Sequence, residues 1–393
     1  MTTIRLGEVA KIKHGFAFKS QYFTEEKGSY MLLTPGNFQP RGGYQPHKPK
    51  YFAGPIPMDF VLNPSELLLL MTDLSRGIDT LGSPLLVPST SDYSLLHNQR
   101  IGKITNLSPE VNKTWLYYRL QLADYHDYIV GTSTGSTVHH TSPSTISEFS
   151  FEIPDLKAQK KIAKVLGALD DKIAANSRII KIATHLNINL VEKAVTKELE
   201  HLQNLADITM GSSPKGEFLN EEGIGEPFFQ GVRDFGELFP SERVFAEKAV
   251  RTAQEGDILF AVRAPIGEVN IAERPCVIGR GIAAIRGKQS HLGLFYLLKG
   301  HPELWETYQS SGTVFAGINK SDLHNAVIPV LRDSEKLEQQ LTPIHERAMH
   351  ALRENQALAR TRDELLPLLM SGRITVGEAE EAADVAGAAT SES

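Results

Sequence analysis

The feature that most constrains the fold of this chain is an internal repeat, whose unit is about half the chain and occurs twice. Each copy contains a Gly-containing turn after an apolar segment, a buried-strand pattern, and a polar stretch that ends in an apolar run with proline. The matched segments are LGEVAKIKHGFAF (6–18) with LADITMGSSPKGEF (205–218), ELLLLMTD (66–73) with GDILFAVR (256–263), LLHNQRIGKI (95–104) with CVIGRGIAAI (276–285), and GSTVHHTSPSTISEFSFEIPD (135–155) with SGTVFAGINKSDLHNAVIPV (311–330). We therefore expect two copies of one domain.

Each copy consists mainly of short strand patterns separated by Gly and Pro turns, with one or two short helices. Mixed short strands and helices without a βαβ alternation are typical of an α+β fold. We place the first domain at residues 1–153 and the second at residues 201–331.

A long segment with helical periodicity follows each domain, at 154–200 and at 332–375. Apolar positions recur at alternating intervals of four and three residues, which is typical of a coiled-coil seam. Two such helices, separated by a domain, can pair as antiparallel coiled-coil helices. The predicted helix-pairing residues are Ile162, Leu166, Leu169, Ile173, Asn176, Ile180, Leu341, Leu352, Asn355 and Leu366.

Asn176 and Asn355 fall at the same seam position. One interpretation is a pair of polar residues at the edge of an imperfect stripe, and the other is a buried polar pair that fixes register and orientation. Residues 376–393 are small and acidic without a large apolar side chain, so we predict a disordered tail there.

Composition excludes several classes of protein. The single cysteine, Cys276, rules out an internal disulfide and a multi-Cys zinc site. No apolar run approaches the roughly 20 residues needed to span a membrane, and the first residues lack the apolar core of a signal peptide, which favours a cytoplasmic protein. The net charge of −6 means that DNA binding would depend on local basic patches or on a partner.

Known catalytic motifs do not fit the sequence. GTVFAGINKS at Gly312–Ser321 resembles a nucleotide-binding loop, but Ile318 and Asn319 place Lys320 out of register. His139, His140 and His97 could be imagined as metal ligands, although adjacent histidines point in different directions. We therefore predict no catalytic residue and no metal ligand, while an enzyme with an unrecognised site stays an alternative.

The duplicated order resembles the specificity subunits of type I restriction-modification enzymes. RLGEVAKIKHGFAFKS is similar to the opening of that family's domains, and LLHNQRIGKI is similar to its strand motif. GSTVHHTSPSTISEFSFEIPDLKAQKKIAKVLGALDDKIAANSRII is similar to its domain exit and first helix. The resemblance covers about residues 4–373, and the second helix departs from it at Pro343.

The resemblance implies two target-recognition domains, each recognising one half of a split double-stranded DNA sequence, and two helices that set the gap between the halves. The implied partners are two methyltransferase subunits, with restriction subunits left open. The complex would use S-adenosylmethionine, together with ATP and Mg²⁺ where restriction subunits are present, and this chain would bind none of these cofactors. The alternative is a non-catalytic coiled-coil adaptor whose globular domains bind protein or glycan.

Base recognition in the major groove requires Arg, Lys, Asn, Gln and similar side chains on loops. The candidates follow predicted strands or lie in Gly-rich turns, and Arg100 and Arg280 occupy matching positions in the aligned repeats. The first-domain candidates are Lys19, Asn37, Arg41, Arg76, Gln99, Arg100, His139 and His140. The second-domain candidates are Lys215, Gln230, Arg233, Arg263, Arg280, Asn319 and Lys320.

Overall fold

The computed structural model describes residues 2–75, 77–309 and 317–389, which form two compact units. The first unit contains residues 1–171 and 357–389, and the second contains residues 172–356. Both units mix short strands and helices, which confirms the expected combination of helix and strand.

The first unit is built on two four-stranded sheets and two strand pairs. One four-stranded sheet has the order Lys11–His14, Ile101–Thr105, Leu67–Leu70, Pro84–Leu86, and the other has the order Phe23–Thr24, Tyr51–Phe52, Tyr30–Leu32, Ser94–Leu96. The strand pairs are Thr2–Arg5 with Ser150–Ile153 and Thr72–Asp73 with His139–His140. The short helices are Leu6–Val9, Ser20–Tyr22, Pro35–Asn37, Met58–Phe60, Lys113–Arg119, Ala123–Gly131 and Pro143–Ser147.

The second unit repeats this plan with small changes. Its four-stranded sheet has the order Ala206–Met210, Ile282–Gly287, Ile258–Ala261, Val269–Ile271, and its five-stranded sheet has the order Leu219–Asn220, Phe245–Ala246, Glu226–Phe229, Cys276–Ile278, Thr252–Ala253. A further pair joins Val195–His201 to Val327–Leu331. The short helices are Leu202–Leu205, Gly216–Phe218, Val232–Asp234, His291–Gly300, Pro302–Trp305, Glu306–Gln309 and Lys320–Asn325.

Strand order and hydrogen bonding confirm that the two globular parts are structural repeats. In the first unit, strand Ile101–Thr105 pairs antiparallel with Lys11–His14 and with the buried strand Leu67–Leu70. In the second, Ile282–Gly287 pairs antiparallel with Ala206–Met210 and with the buried strand Ile258–Ala261. In each of the other sheets one parallel pair occurs at the same place, between Leu32 and Leu96 in the first unit and between Phe228 and Val277 in the second. The buried strands Leu67–Leu70 and Ile258–Ala261 are the apolar runs expected of sheet interiors.

The two long helices are shorter than the sequence predicts. They extend over Leu156–Ala194 and Ser334–Met370, within the expected spans of 154–200 and 332–375. The prediction is wrong at the end of the first helix, because Val195–His201 forms a strand against Val327–Leu331. The β-branched Val195 and Thr196 favour a strand, and backbone pairing with a second strand stabilises it.

The prediction of a disordered tail at 376–393 is also wrong over most of its length, since Val376–Ala389 is a helix. Its start is capped by Thr375 and Glu378, whose carboxylate accepts hydrogen bonds from the Thr375 backbone N–H at 2.7 Å and hydroxyl at 2.8 Å. The Ala-rich composition then favours the helix. Sequence hydrophobicity alone misses both effects.

The predicted seam residues are buried or half-buried in the structure. Ile162, Leu166, Leu169, Asn176, Ile180, Leu341 and Leu366 are buried, and Ile173, Leu352 and Asn355 are half-buried. Within the second unit, Asn176 donates to Glu354 at 2.7 Å, and Asn355 donates to the Ile173 carbonyl at 3.2 Å. The two asparagines are therefore fixed by different partners, and coiled-coil pairing along the whole helices stays a prediction.

Polar contacts attach each long helix to a short helix within one unit. In the first unit, buried Gln159 accepts from the Asn112 backbone N–H at 2.8 Å, where Lys113–Arg119 begins. In the second, the Glu338 carboxylate accepts from the Leu292 N–H at 3.0 Å and from the Ser290 hydroxyl at 2.6 Å, at the start of His291–Gly300. Both contacts satisfy N–H groups that a helix start leaves without partners.

We expect Glu338→Ala to lower the free energy of unfolding by about 1–3 kcal/mol, because it leaves partly buried donors without an acceptor. Chemical denaturation of the purified chain measures this. Gln340→Ala, at an exposed position on the same helix, is the matched control and should change stability by less than about 0.5 kcal/mol. Equal effects of the two substitutions would contradict the role given to Glu338.

Candidate nucleic-acid interface

In the second unit, three of the predicted residues converge on one pocket. Gln230 follows strand Glu226–Phe229, Arg263 lies two residues after Ile258–Ala261, and Arg280 lies in the tight turn before Ile282–Gly287. All three are exposed and line a cavity of about 350 Å³ together with Gly231, Val232, Ala264 and Gly281. The sheet topology therefore collects side chains from three separate sequence segments.

A residue absent from the sequence-based candidates organises this pocket. The Ser213 hydroxyl donates to Gln230 Oε1 at 2.7 Å and accepts from the Arg280 backbone N–H at 3.2 Å. The sequence signal for this residue is the polar turn GSSPKG, which also contains the candidate Lys215.

Glycines allow the turn that carries Arg280 to lie directly against Gln230. A Cβ on Gly279 would lie 2.6 Å from Gln230 Oε1, and one on Gly281 would lie 2.3 Å from the Gln230 carbonyl oxygen. The Gly281 N–H donates to that carbonyl at 3.1 Å. The close backbone approach therefore requires glycine on both sides of Arg280.

The pocket is electropositive. Within the described part of the chain, neither the Arg263 nor the Arg280 guanidinium forms an ion pair. The backbone of Arg263 forms an antiparallel β-bridge with Gly317. A Cβ added to Gly317 would lie 3.0 Å from the Arg263 side chain. Two exposed guanidinium groups beside an amide provide hydrogen-bond donors for an anionic or acceptor-rich ligand.

The remaining second-unit candidates lie outside that pocket. Lys215, Arg233 and Lys320 are exposed in short turns or helices, and Lys215 lies 3.9 Å from Glu217. Asn319 is the N-cap of helix Lys320–Asn325, where its Oδ1 accepts from the Asp322 N–H at 2.9 Å. The exposed side chain of Asn319 therefore caps this helix.

In the first unit, Gln99 and Arg100 line a larger cleft of about 830 Å³. Lys19 lies between two residues of that cleft, Phe18 and Ser20. His47, Lys48 and Lys50 also line the cleft, and the run HKPK at 47–50 was the sequence signal that we missed.

His139 and His140 form a short strand that pairs with Asp73 and Thr72, and His140 Nδ1 lies 3.1 Å from Thr72 Oγ1. Arg76 lies outside the described residues. The Asp73 carboxylate accepts from the Ser75 N–H at 2.7 Å and from the Thr80 N–H at 2.8 Å. Burial opposes ionisation of Asp73, but the hydrogen bonds from Ser75 and Thr80 outweigh it and hold the pKa of this carboxyl below its ordinary value.

Two first-unit candidates lie in the turn after Tyr30–Leu32. Asn37 is only 2% exposed, so the prediction that it contacts DNA is not supported. Its Oδ1 accepts from the Thr34 N–H at 2.9 Å and its Nδ2 donates to the Gln45 carbonyl at 3.2 Å, which makes it a turn-stabilising residue. Arg41 is exposed and has a positive φ of 62° in the adjoining turn.

The structure corrects the matching of Arg100 with Arg280. The Met71 N–H donates to the Arg100 carbonyl, and the equivalent Val262 N–H donates to the Gly281 carbonyl. Arg100 is therefore equivalent to Gly281, and Arg280 is equivalent to Gln99.

Other equivalences follow from the same backbone pattern. The Gly15 N–H bonds to Ile101 as the Gly211 N–H bonds to Ile282, so Ala17 stands where Ser213 stands in the second unit. The parallel strand pairs likewise match Thr34 with Gln230, and the buried strands match Thr72 with Arg263. The two units thus have the same backbone arrangement but present different side chains at the equivalent edge of the sheet.

His97 belongs to the core. It is fully buried, its Nε2 lies 2.8 Å from the Ile101 carbonyl oxygen, and burial lowers its pKa to about 4. Among the residues that the structure describes, no group of three or more His, Cys, Asp or Glu side chains is arranged to hold a metal ion. Nor does any helix in the described ranges combine the length and apolarity needed to cross a membrane.

The comparison with known proteins identifies two matching regions in this chain. The family model for the type I restriction modification DNA specificity domain matches residues 87–184 and 195–340. The putative type I restriction enzyme MjaX specificity subunit of Methanocaldococcus jannaschii is 28% identical over 305 residues, which is 69% of this chain and 71% of that protein. The EcoBI specificity subunit of Escherichia coli is 28% identical over 200 residues, covering 50% of this chain and 39% of that protein.

A solved structure has the same fold. The crystal structure of the S subunit of a type I restriction-modification system from M. genitalium superposes with a TM-score of 0.60 at 17% identity, and the match covers 94% of this chain and 95% of that one.

Two equivalent α+β units with polar and cationic strand ends define a duplicated recognition protein. The family model matches one region in each half of the sequence, and together the matches cover more than half of the chain. The chain belongs to the type I restriction-modification DNA specificity family. Subunits of this family recognise DNA without catalysing a reaction. The match to the family model confirms the predicted resemblance.

We expect Asp73→Asn to destabilise the chain by roughly 1–3 kcal/mol at pH 7, because a charged acceptor of several hydrogen bonds is lost. The folded pKa of Asp73 lies below its unfolded value, so its contribution is fully present above about pH 4 and is lost as the pH falls through the folded pKa. The difference between variant and wild type, measured by denaturation, should therefore shrink below about pH 4. Exposed Asp79→Asn is the control, and a difference for Asp73→Asn that is independent of pH would contradict this account.

Proposed function

We propose that each unit recognises one half of a bipartite double-stranded DNA target, and that the chain positions two adenine-methyltransferase subunits on that target. The observation that supports this most directly is the equivalence of the two strand-end edges, each with exposed Arg, Gln or His side chains in the same backbone frame. A duplicated domain provides two related recognition surfaces and two related sites for one kind of partner.

The side chains at these edges are suited to direct readout. Arg forms paired hydrogen bonds with guanine and Gln with adenine in the major groove. In the proposal, Gln99, Arg100, His139 and His140 contact the first half-site, and Gln230, Arg263 and Arg280 contact the second. Lys19, Arg41, Arg76, Lys215, Arg233, Asn319 and Lys320 provide further contacts, chiefly with phosphates.

The two half-sites have different sequences in this proposal. Gln230, Arg263 and Arg280 of the second unit replace Thr34, Thr72 and Gln99 of the first at equivalent backbone positions. Because the hydrogen-bonding groups differ while the scaffold is the same, a palindromic target is not expected.

The long helices set the gap between the half-sites by pairing antiparallel. Supporting this proposal are the buried seam positions and the hydrogen bonds from Asn176 and Asn355 to the facing helix within the second unit. Lys172 adds an ion pair with Glu354 at 3.3 Å. Such polar contacts at an apolar seam favour one register over others.

The methyltransferase subunits would use S-adenosylmethionine, and restriction subunits, where present, would use ATP with Mg²⁺. This chain would contribute recognition alone, in the cytoplasm. With a net charge of −6, it would rely on its partners for much of the attraction to the DNA backbone.

The rival proposals are an adaptor that binds protein or glycan and an enzyme with an unrecognised site. Binding of the complex with its methyltransferase subunits to a randomised DNA library distinguishes them. We expect selection of two short sequences separated by a fixed gap. Absence of any sequence preference would favour the adaptor, and methyl transfer by the chain alone would favour the enzyme.

We expect the double substitution of Arg263 and Arg280 by alanine to relax recognition of the second half-site only, because both side chains lie in the second unit. Substitution of Gln99 and Arg100 by alanine should relax recognition of the first half-site only. Each lost paired contact costs about 1–3 kcal/mol of discrimination, and methylation-site sequencing in a host expressing the complex detects the change.

Exposed Arg347→Ala, on the long helix Ser334–Met370, is the control for a general loss of positive charge. Changes in both half-sites from either double variant would contradict the assignment of one half-site to each unit.

We expect the insertion of one heptad into each long helix, after Asp171 and after Gln356, to lengthen the gap and leave both half-sites unchanged. Seven helical residues add about 10 Å, or about three base pairs of DNA. Methylation-site sequencing measures the gap directly. A five-residue insertion, which puts the seam out of phase, is the control and should abolish a single defined gap; altered half-sites with an unaltered gap would contradict the spacer role.

A further inference from the structure

The second-unit pocket has a feature that general DNA recognition does not require. Ser213 Oγ accepts the Arg280 backbone N–H at 3.2 Å, so its own proton is available to the Gln230 Oε1 atom 2.7 Å away. In this arrangement the oxygen of the Gln230 amide lies against the turn and its NH₂ group lies on the opposite side. An amide held in this way presents its NH₂ group, rather than its oxygen, to a ligand.

The other two polar side chains that line the pocket are also donors. Arg263 and Arg280 line the same cavity of about 350 Å³, and a guanidinium group donates hydrogen bonds but accepts none. A ligand edge that suits this pocket must therefore carry acceptors only.

Guanine meets this requirement best in the major groove, because thymine offers a single acceptor, O4, beside its methyl group. Guanine presents two acceptors, N7 and O6, whereas adenine presents one acceptor and one amino donor. An adenine amino group would face donors of the same kind and would lose its hydrogen bond to water without replacement.

We propose that Ser213 is a positioning residue that makes the second half-site selective for guanine over adenine, by holding the Gln230 amide with its NH₂ group toward the base. This inference rests on the proposed function and adds the base that one pocket recognises. The first unit has Ala17 at the equivalent position, so the device belongs to the second half-site alone.

The Ser213→Ala substitution removes the bond that fixes the amide. Gln230 can then turn its amide by 180° and form the paired contact with adenine that glutamine normally makes. We expect the ratio of guanine to adenine at one position of the second half-site to fall roughly tenfold. Ser213→Thr retains the hydroxyl and should retain the ratio.

The test uses the full chain in complex with its methyltransferase subunits, and DNA targets carrying each base at every position of both half-sites. Methylation rates give the guanine-to-adenine ratio for wild type, Ser213→Ala, Ser213→Thr and the control Ser212→Ala. The first half-site is an internal reference, because a general loss of folding would lower methylation of every target alike. Gln230→Glu is a second variant; it replaces the donors by acceptors and should lose the guanine preference.

Three results would overturn the inference: a second half-site without a guanine preference in wild type, an unchanged ratio in Ser213→Ala, or a guanine preference that survives in Gln230→Glu. A wild-type complex that selects no bipartite sequence would instead overturn the proposed function, so the two failures are distinguishable.

Discussion

Backbone pairing around strands Ile101–Thr105 and Ile282–Gly287 is the interaction on which the arrangement of the candidate residues depends. Ile101–Thr105 and Ile282–Gly287 each pair with two antiparallel neighbours, and the turn before each strand lies at one end of the sheet. Hydrogen bonds from the Gly15 N–H to Ile101 and from the Gly211 N–H to Ile282 then bring strands Lys11–His14 and Ala206–Met210 to the same end. Residues far apart in sequence become neighbours because the ladder has only one register that keeps the apolar faces buried.

The same scaffold occurs twice with different side chains at its edge. Alanine, threonine and glutamine in the first unit correspond to serine, glutamine and arginine in the second. The core tolerates this divergence because the edge side chains lie outside it, while Gly279 and Gly281 preserve the close backbone contact. A chain can therefore change what one unit recognises without altering the packing that holds the unit together.

Buried polar contacts connect the globular part of each unit to its long helices. Gln159 and Glu338 accept N–H groups at the starts of short helices, and the Asp170 carboxylate accepts from Tyr118 at 2.6 Å and from Arg362 at 2.8 Å in the first unit. Such contacts are directional, so they fix the position of a helix more closely than apolar packing alone. This directionality is what a helix needs if it is to set a defined distance.

The sequence by itself determined the repeat, the mixture of strands and helices, the buried stripe of each long helix and the residue types at the strand ends. These properties follow from local pattern, because apolar periodicity and turn residues act over a few positions. Only the tertiary structure decided that Arg280 is equivalent to Gln99, that Asn37 is buried in a turn, and that Val195–His201 is a strand. It also decided that Ser213 lies against Gln230, since hydrogen bonds between distant segments depend on strand register and on close backbone approach at glycine, which local pattern does not contain.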